Sequence, residues 1–451
     1  MIKHNLTQGN VGKQLYTMTI PMVLGILSIM SMNIVDTFYV GQLGTDPLTA
    51  MTFTIPVISI LLSLAFGIGI GTSSVIARAI GAQEHTLVKS YTTQALFIAL
   101  TIAIIFAVSG YQAMDQIFAL LGAPQSLMPL IHEFMDIWFL GSFVVVVPMV
   151  GNSAIRAAGN TKLPSYVMMS VALVNIILDP ILIFGLFGFP RMELAGAALS
   201  TVISYSIAFF LGLYFLACKF RFLNWASCYV GVFNSWRAIL RIAIPAVGTN
   251  LIAPISVAIT TLLVARYSPE SVAGFGVASR IESLFLVVIM GLSSIMGPFV
   301  GQNWGGKQFH RVDLALKLSF RFASIWGLGV AILLWFLASP IAGLFSDDLT
   351  VINSATIYLQ IIPITYLFLA IIMISSSTSN GMGNPMPSLV MSFLRLIALY
   401  IPLAIGLAYF FNLWGIYLAG ALANVIVGIG AFIWVKRLKI SSKSAHKKSI
   451  L

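Results

Sequence analysis

The chain has 451 residues, of which 59% are hydrophobic and 8% charged, and a mean hydropathy of +1.00. A soluble domain carries about 25% charged residues, so a water-soluble fold is excluded and a polytopic membrane protein is expected. The net charge of +11 is accounted for by the Lys/Arg bias of cytoplasmic loops, which leaves no need for a nucleic-acid partner.

Apolar stretches of about 20 residues, the length that crosses roughly 30 Å of hydrocarbon as a helix, recur along the chain. They fall at approximately 14–40, 50–77, 90–110, 131–155, 163–187, 194–217, 237–265, 272–300, 315–343, 354–379, 388–410 and 413–436, which predicts twelve transmembrane helices. The first run is too long for a signal-peptide core and contains Asp36, so it is expected to stay as the first span. With the N-terminus inside, the inner segments hold Lys3, Lys13, Arg78, Lys89, Arg156, Lys162, Lys219, Arg237, Lys307, Arg311 and the tail from Lys436 to Lys448, while the outer ones hold only Arg191 and Arg266. Both termini are therefore expected in the cytoplasm, with the chain in the plasma (inner) membrane. Cys218 and Cys228 lie in one basic inner linker, where thiols stay reduced.

The second half repeats the first. Ile20-Pro21 returns as Ile244-Pro245, Gly159-Asn160 as Gly383-Asn384 and Leu194-Ala-Gly-Ala197 as Leu418-Ala-Gly-Ala421, each displaced by 224 positions. The expected plan is a six-helix N-terminal lobe (1–218), a cytoplasmic linker (219–236), a six-helix C-terminal lobe (237–437) and a basic tail (438–451). An even number of spans per half makes the repeats parallel, the arrangement that leaves a central cleft for alternating access.

Carboxylates inside such helices are expensive and mark function. Asp36 lies about 22 residues from the inner start of its run and Asp179 about 16 from its own, so at 1.5 Å per residue both fall in the outer half of the bilayer. Asn33 precedes Asp36 by three and Asn175 precedes Asp179 by four, spacings that share a helix face. Pro180 frees the carbonyl of Ile176 one turn back, and the sixth run carries Thr201. Together these oxygens predict one ion-binding site. The competing reading makes the aspartates structural links between helices. Against it, the second half has Thr260 at the equivalent of Asp36, and Ile401-Pro402 near that of Asp179.

Pro21 kinks the first span or hinges it, and the sequence leaves both open. Arg280, Glu282 and Arg395 are read as structural charges, Arg395 snorkelling to the inner surface. Asp136, at the outer start of the fourth span, is an interfacial residue or a further lining group. The Gly67-Ile-Gly69-Ile-Gly71 run sits inside an apolar helix with no strand before it, which indicates close helix packing rather than a nucleotide loop. No G-x-x-x-x-G-K-[ST] loop is present, so the chain has no ATP site of that kind. The five histidines have neither metal-ligand nor catalytic spacing, and no enzymatic activity, organic cofactor or resident metal is expected.

Several stretches taken together resemble the MATE (multidrug and toxic compound extrusion) transporters. They are TIPMV at 19–23 with Asp36 downstream, RAAGNTKLPS at 156–165, NIILDP at 175–180, ELAGAALST at 193–201 and VGQNWGG at 300–306. The closest likeness is to the DinF-like branch. The resemblance implies an ion site at Asp36, Asn175, Asp179 and Thr201, bending at Pro21, and efflux of amphipathic organic cations in exchange for H⁺ or Na⁺. The NorM-like branch has acidic ligands on its seventh and tenth helices, where this chain offers Thr260 and Gln360. The expected function is proton-coupled multidrug antiport by a monomer in the lipid bilayer. Sodium coupling and a lipid or lipid-linked sugar flippase stand as alternatives, and a receptor or scaffold with structural aspartates as the different class.

Overall fold

The computed structural model describes residues 6–224 and 231–448, with side chains to 437. The middle of the expected linker, with Cys228, and the side chains of the basic tail lie outside the described residues. No strand occurs among those residues. The apolar helices are α1 (Val11–Gly41), α2 (Thr45–Gly81), α3 (His85–Gln112), α4 (Gln125–Ala157), α5 (Lys162–Phe184), α6 (Glu193–Lys219), α7 (Val232–Ala265), α8 (Pro269–Gly305), α9 (Phe309–Ala342) and α10 (Leu349–Gly381). One further run, Met386–Arg437, breaks at Asn412 (φ 51°, ψ −133°) into α11 (386–411) and α12 (413–437). Twelve helices long and apolar enough to cross a membrane result among the described residues, as the apolar runs predict.

The helices divide into two compact units, one holding Ile20–Val247 and the other Leu6–Thr19 with the chain from Gly248 onward. The first division falls beside Pro21, inside α1. In the first unit α2, α3, α4 and α6 pack on one another and α5 lies against α6, around a core that includes Ile76, Ile98, Ile131, Met135, Phe139 and Ile155. Small residues set the closeness of these contacts. A Cβ at Gly69 would lie 2.6 Å from Ser153 Oγ, and one at Gly71 2.7 Å from the Ile239 carbonyl oxygen. The glycine run is thus a packing surface on α2, which lets neighbouring backbones approach as only small residues allow.

In the second unit α8, α9 and α10 form one cluster, with α12 laid along α10. The segment before α1 is tied to this unit by hydrogen bonds that satisfy its backbone. The Leu6 N–H donates to Gln302 Oε1 at 3.0 Å, and Asn303 Nδ2 donates to the Leu6 carbonyl at 3.2 Å. Arg311 donates to the carbonyls of Gly9 at 2.6 Å and Leu6 at 3.0 Å, and to Gln14 Oε1 at 2.8 Å. The VGQNWGG turn is therefore a cradle for the entering chain. The first unit holds the chain entering α7 in a similar way: the Asn224 N–H donates to Thr93 Oγ1 at 3.0 Å and Trp236 Nε1 to Gln94 Oε1 at 2.9 Å.

Candidate functional site

α5 runs from Lys162 to Phe184 without interruption at Pro180, so Asn175 and Asp179 keep their four-residue spacing on one face. That face meets α6 at close range because residue 196 is a glycine. A Cβ there would lie 2.7 Å from the carbonyl carbon and oxygen of Leu182, and the Met192 N–H closes the connection by donating to the same carbonyl at 3.0 Å. The approach brings Ser200 and Thr201 within reach of α5. Asn175 Nδ2 donates to Asp179 Oδ1 at 3.3 Å, to Ser200 Oγ at 3.3 Å and to Thr201 Oγ1 at 3.4 Å. Ser200 Oγ also donates to Asp179 Oδ1.

Asp36 enters from α1, and its carboxyl group faces that of Asp179 closely enough for the two to interact electrostatically. Asn175 and Asp179 are fully buried and Asp36 is 9% exposed. Three oxygens of this cluster, Asp36 Oδ1, Asn175 Oδ1 and Asp179 Oδ2, are buried without a hydrogen-bond donor. Among the described residues no Lys, Arg or His forms an ion pair with either aspartate. Tyr205, on α6, is within electrostatic reach of Asp36. Two neighbouring carboxylates repel unless they share a proton or a cation, and buried acceptors without donors are costly. The arrangement is an oxygen-rich cluster that lacks positive charge. Its donor set suits a proton or a hard cation such as Na⁺ and contains neither His nor Cys.

The four residues expected to form the ion site therefore meet. Ser200 joins them, although it was not singled out in the sequence; its signal was its place one residue before Thr201, facing the Asn175–Asp179 stripe. Asn33 is exposed, despite its spacing from Asp36. Asp136 stands in a separate half-exposed group, 3.8 Å from His132 Nδ1, while His132 Nε2 is 2.8 Å from Asp115. Pro21 lies within a continuous helix. In the second unit the Thr260 hydroxyl meets the Tyr400 hydroxyl at 2.7 Å, and Gln360 donates to the Trp335 carbonyl at 3.3 Å.

A family model described as MatE matches residues 21–181 and 245–405; both segments begin at the repeated prolines. The chain is 36% identical over 437 residues to a FAD transporter of Shewanella oneidensis, with 97% of each chain covered. It is 24% identical over 435 residues to the multidrug export protein MepA of Staphylococcus saprophyticus, covering 96% of this chain and 95% of that one. Among solved structures, the Vibrio cholerae MATE transporter VcmN matches in an aspartate-to-asparagine mutant form with a TM-score of 0.92 and 29% identity, over 96% of this chain and 97% of that one. The same transporter in the bent form matches with a TM-score of 0.91 and 29% identity, over 96% and 98%.

Proposed function

Because this chain belongs to the MATE family of membrane transporters, whose transport is ion-coupled, we propose that it exports small amphipathic organic compounds in exchange for H⁺, with Asp36 and Asp179 as the carboxyl pair that takes up and releases the proton. The observation that carries this reading is a pair of interacting buried carboxyl groups that, with Asn175, leave three acceptor oxygens unmatched and have no basic partner among the described residues. Such a pair is stable when it holds a proton or cation and strained when it does not, so ion occupancy and conformation are linked. Asn175, Ser200 and Thr201 orient the pair. A site in the first unit, with Thr260 and Gln360 in place of acids on α7 and α10, favours the DinF-like branch. The lysine and arginine distribution supports cytoplasmic termini, and the inner membrane is the membrane we assign to the chain.

Energetics restrict the stoichiometry. Exchanging one proton for one monovalent cation moves no net charge and uses only the pH difference. Drawing on the membrane potential, worth about 2.3 kcal/mol per charge per 100 mV, requires two protons per monovalent cation, and the pair has two carboxyl groups. Sodium is the second reading of the coupling ion, because Na⁺ takes the same kind of oxygen ligands. For the substrate, the 36% identical FAD transporter favours a flavin dinucleotide as the second reading beside the amphipathic cations. Export of such an anion would move negative charge outward, with an inside-negative potential.

Proteoliposomes test the exchange. Ethidium or FAD efflux driven by an imposed pH gradient in sodium-free buffer supports the proton reading. Transport that starts only when sodium is added replaces it with the sodium reading, and no gradient-driven transport of either substrate rejects both.

A further inference from the structure

In the carboxyl cluster of the first unit the unmatched buried atoms are acceptors, whereas around Arg395 in the second unit they include donors. Arg395 lies on a π-helical turn of α11, Leu394–Leu399, a local widening that recurs at functional sites. Its Nη1 donates to Asn424 Oδ1 at 3.2 Å, and its Nε–H is buried without an acceptor. Asn424 stands 224 positions after Ser200, so the repeat places it where the first unit has an ion-site residue. Its Nδ2 donates to Thr365 Oγ1 at 2.9 Å, which turns the amide oxygen toward Arg395.

Tyr366, next in sequence to the Thr365 that Asn424 binds, is only 1% exposed and its hydroxyl is also unpartnered. Glu282 is within electrostatic reach of the guanidinium but does not bond to it. Glu282 Oε2 is held by the Tyr358 hydroxyl at 2.5 Å, and no Glu282–Arg395 ion pair forms among the described residues. Arginine keeps its charge in proteins, and its planar fork matches phosphate and carboxylate oxygens better than any other side chain.

We propose that the second unit carries an oxyanion site of opposite polarity to the first unit's ion site. Arg395 is its cationic anchor, Asn424 positions it, and the Tyr366 hydroxyl is a further donor. The ligand chemistry is a phosphate-type oxyanion, either the pyrophosphate of a flavin dinucleotide or the headgroup phosphate of an anionic lipid. The assignment of a dinucleotide rests on the transport reading above; the site itself rests on the donors.

The test uses the full chain in phosphatidylcholine nanodiscs, titrated with FAD and with riboflavin, which lacks phosphate, and followed by flavin fluorescence. The wild type is expected to bind FAD at least about tenfold tighter than riboflavin. Arg395→Gln is expected to abolish that ratio without changing riboflavin affinity, and Arg395→Lys to keep part of it. If FAD shows no advantage, native mass spectrometry in phosphatidylglycerol is expected to find a retained lipid that Arg395→Gln loses. Should Arg395→Gln fail to fold, Tyr366→Phe is expected to lower the FAD to riboflavin ratio severalfold. An unchanged ratio together with unchanged lipid retention overturns the proposal. Proton-driven ethidium efflux by the wild type is measured alongside, so that failure of the exchange reading is seen separately.

Discussion

Replacing Asp179 with Asn changes the charge of the pair while keeping its shape. Asp179 Oδ1 accepts from Asn175 at 3.3 Å and from Ser200, and an asparagine oxygen placed there keeps both bonds at neutral strength. Hydrogen bonds to a charged group contribute about 1.5–3 kcal/mol and neutral ones about 0.5–1.5, so the two bonds together lose roughly 2–3 kcal/mol of support for an ionised site. At about 1.4 kcal/mol per tenfold, a cation such as Na⁺ is held roughly 30- to 150-fold more weakly, and for a proton the pair loses one of its two ionisable groups outright. The fold is expected to survive, because the new amide nitrogen replaces Asp179 Oδ2, which has no donor, and can donate to Asp36. The assay is ethidium efflux from cells and from proteoliposomes, normalised to the amount of protein in the membrane. Asp179→Asn is expected to keep near-wild-type abundance and less than a tenth of the efflux. Efflux above half of wild type at equal abundance would refute the assignment of the pair as the ion carrier.

Other substitutions probe the frame around the pair. Ser200→Ala removes one donor that favours the ionised form of Asp179, worth about 1 kcal/mol, and should lower severalfold the proton concentration needed for half-maximal efflux. Gly196→Ala places a methyl group 2.7 Å from the Leu182 backbone and should destabilise by about 1–3 kcal/mol, read as a lower melting temperature in detergent together with reduced efflux. Pro21→Ala restores an N–H able to reach the Thr17 carbonyl and should straighten and stiffen α1, lowering turnover with no loss of thermal stability. An unchanged turnover would leave Pro21 a kink without a hinge role.

Much of the architecture was legible because a bilayer permits few solutions. Apolar length gave twelve spans, and the 224-residue displacement gave the duplication. Helical spacing placed Asn175 beside Asp179 without any tertiary information. Other features depended on contacts between segments far apart in the chain. Nothing in a hydropathy profile marks Arg311 as the group that ties Leu6–Gln14 to the second unit, since its partners are backbone carbonyls about 300 residues away. Ser200 was hidden for the opposite reason: a serine within a small-residue helix is ordinary until Gly196 brings it against a carboxylate. Asn33 misled through the same periodicity that served Asn175, because three residues from Asp36 leaves open which side of the face is buried. Arg395, taken as a snorkelling charge, instead meets Asn424 at 3.2 Å within the second unit, a pairing visible only after α11 and α12 are packed.

The most direct measurement is of ion exchange on substrate binding, made with purified protein in weakly buffered detergent solution and a pH-sensitive dye. Adding tetraphenylphosphonium to the wild type should release one to two protons per protein, and to Asp36→Asn or Asp179→Asn close to none. Wild-type protein that binds the cation while releasing neither protons nor preloaded radioactive sodium would contradict the account.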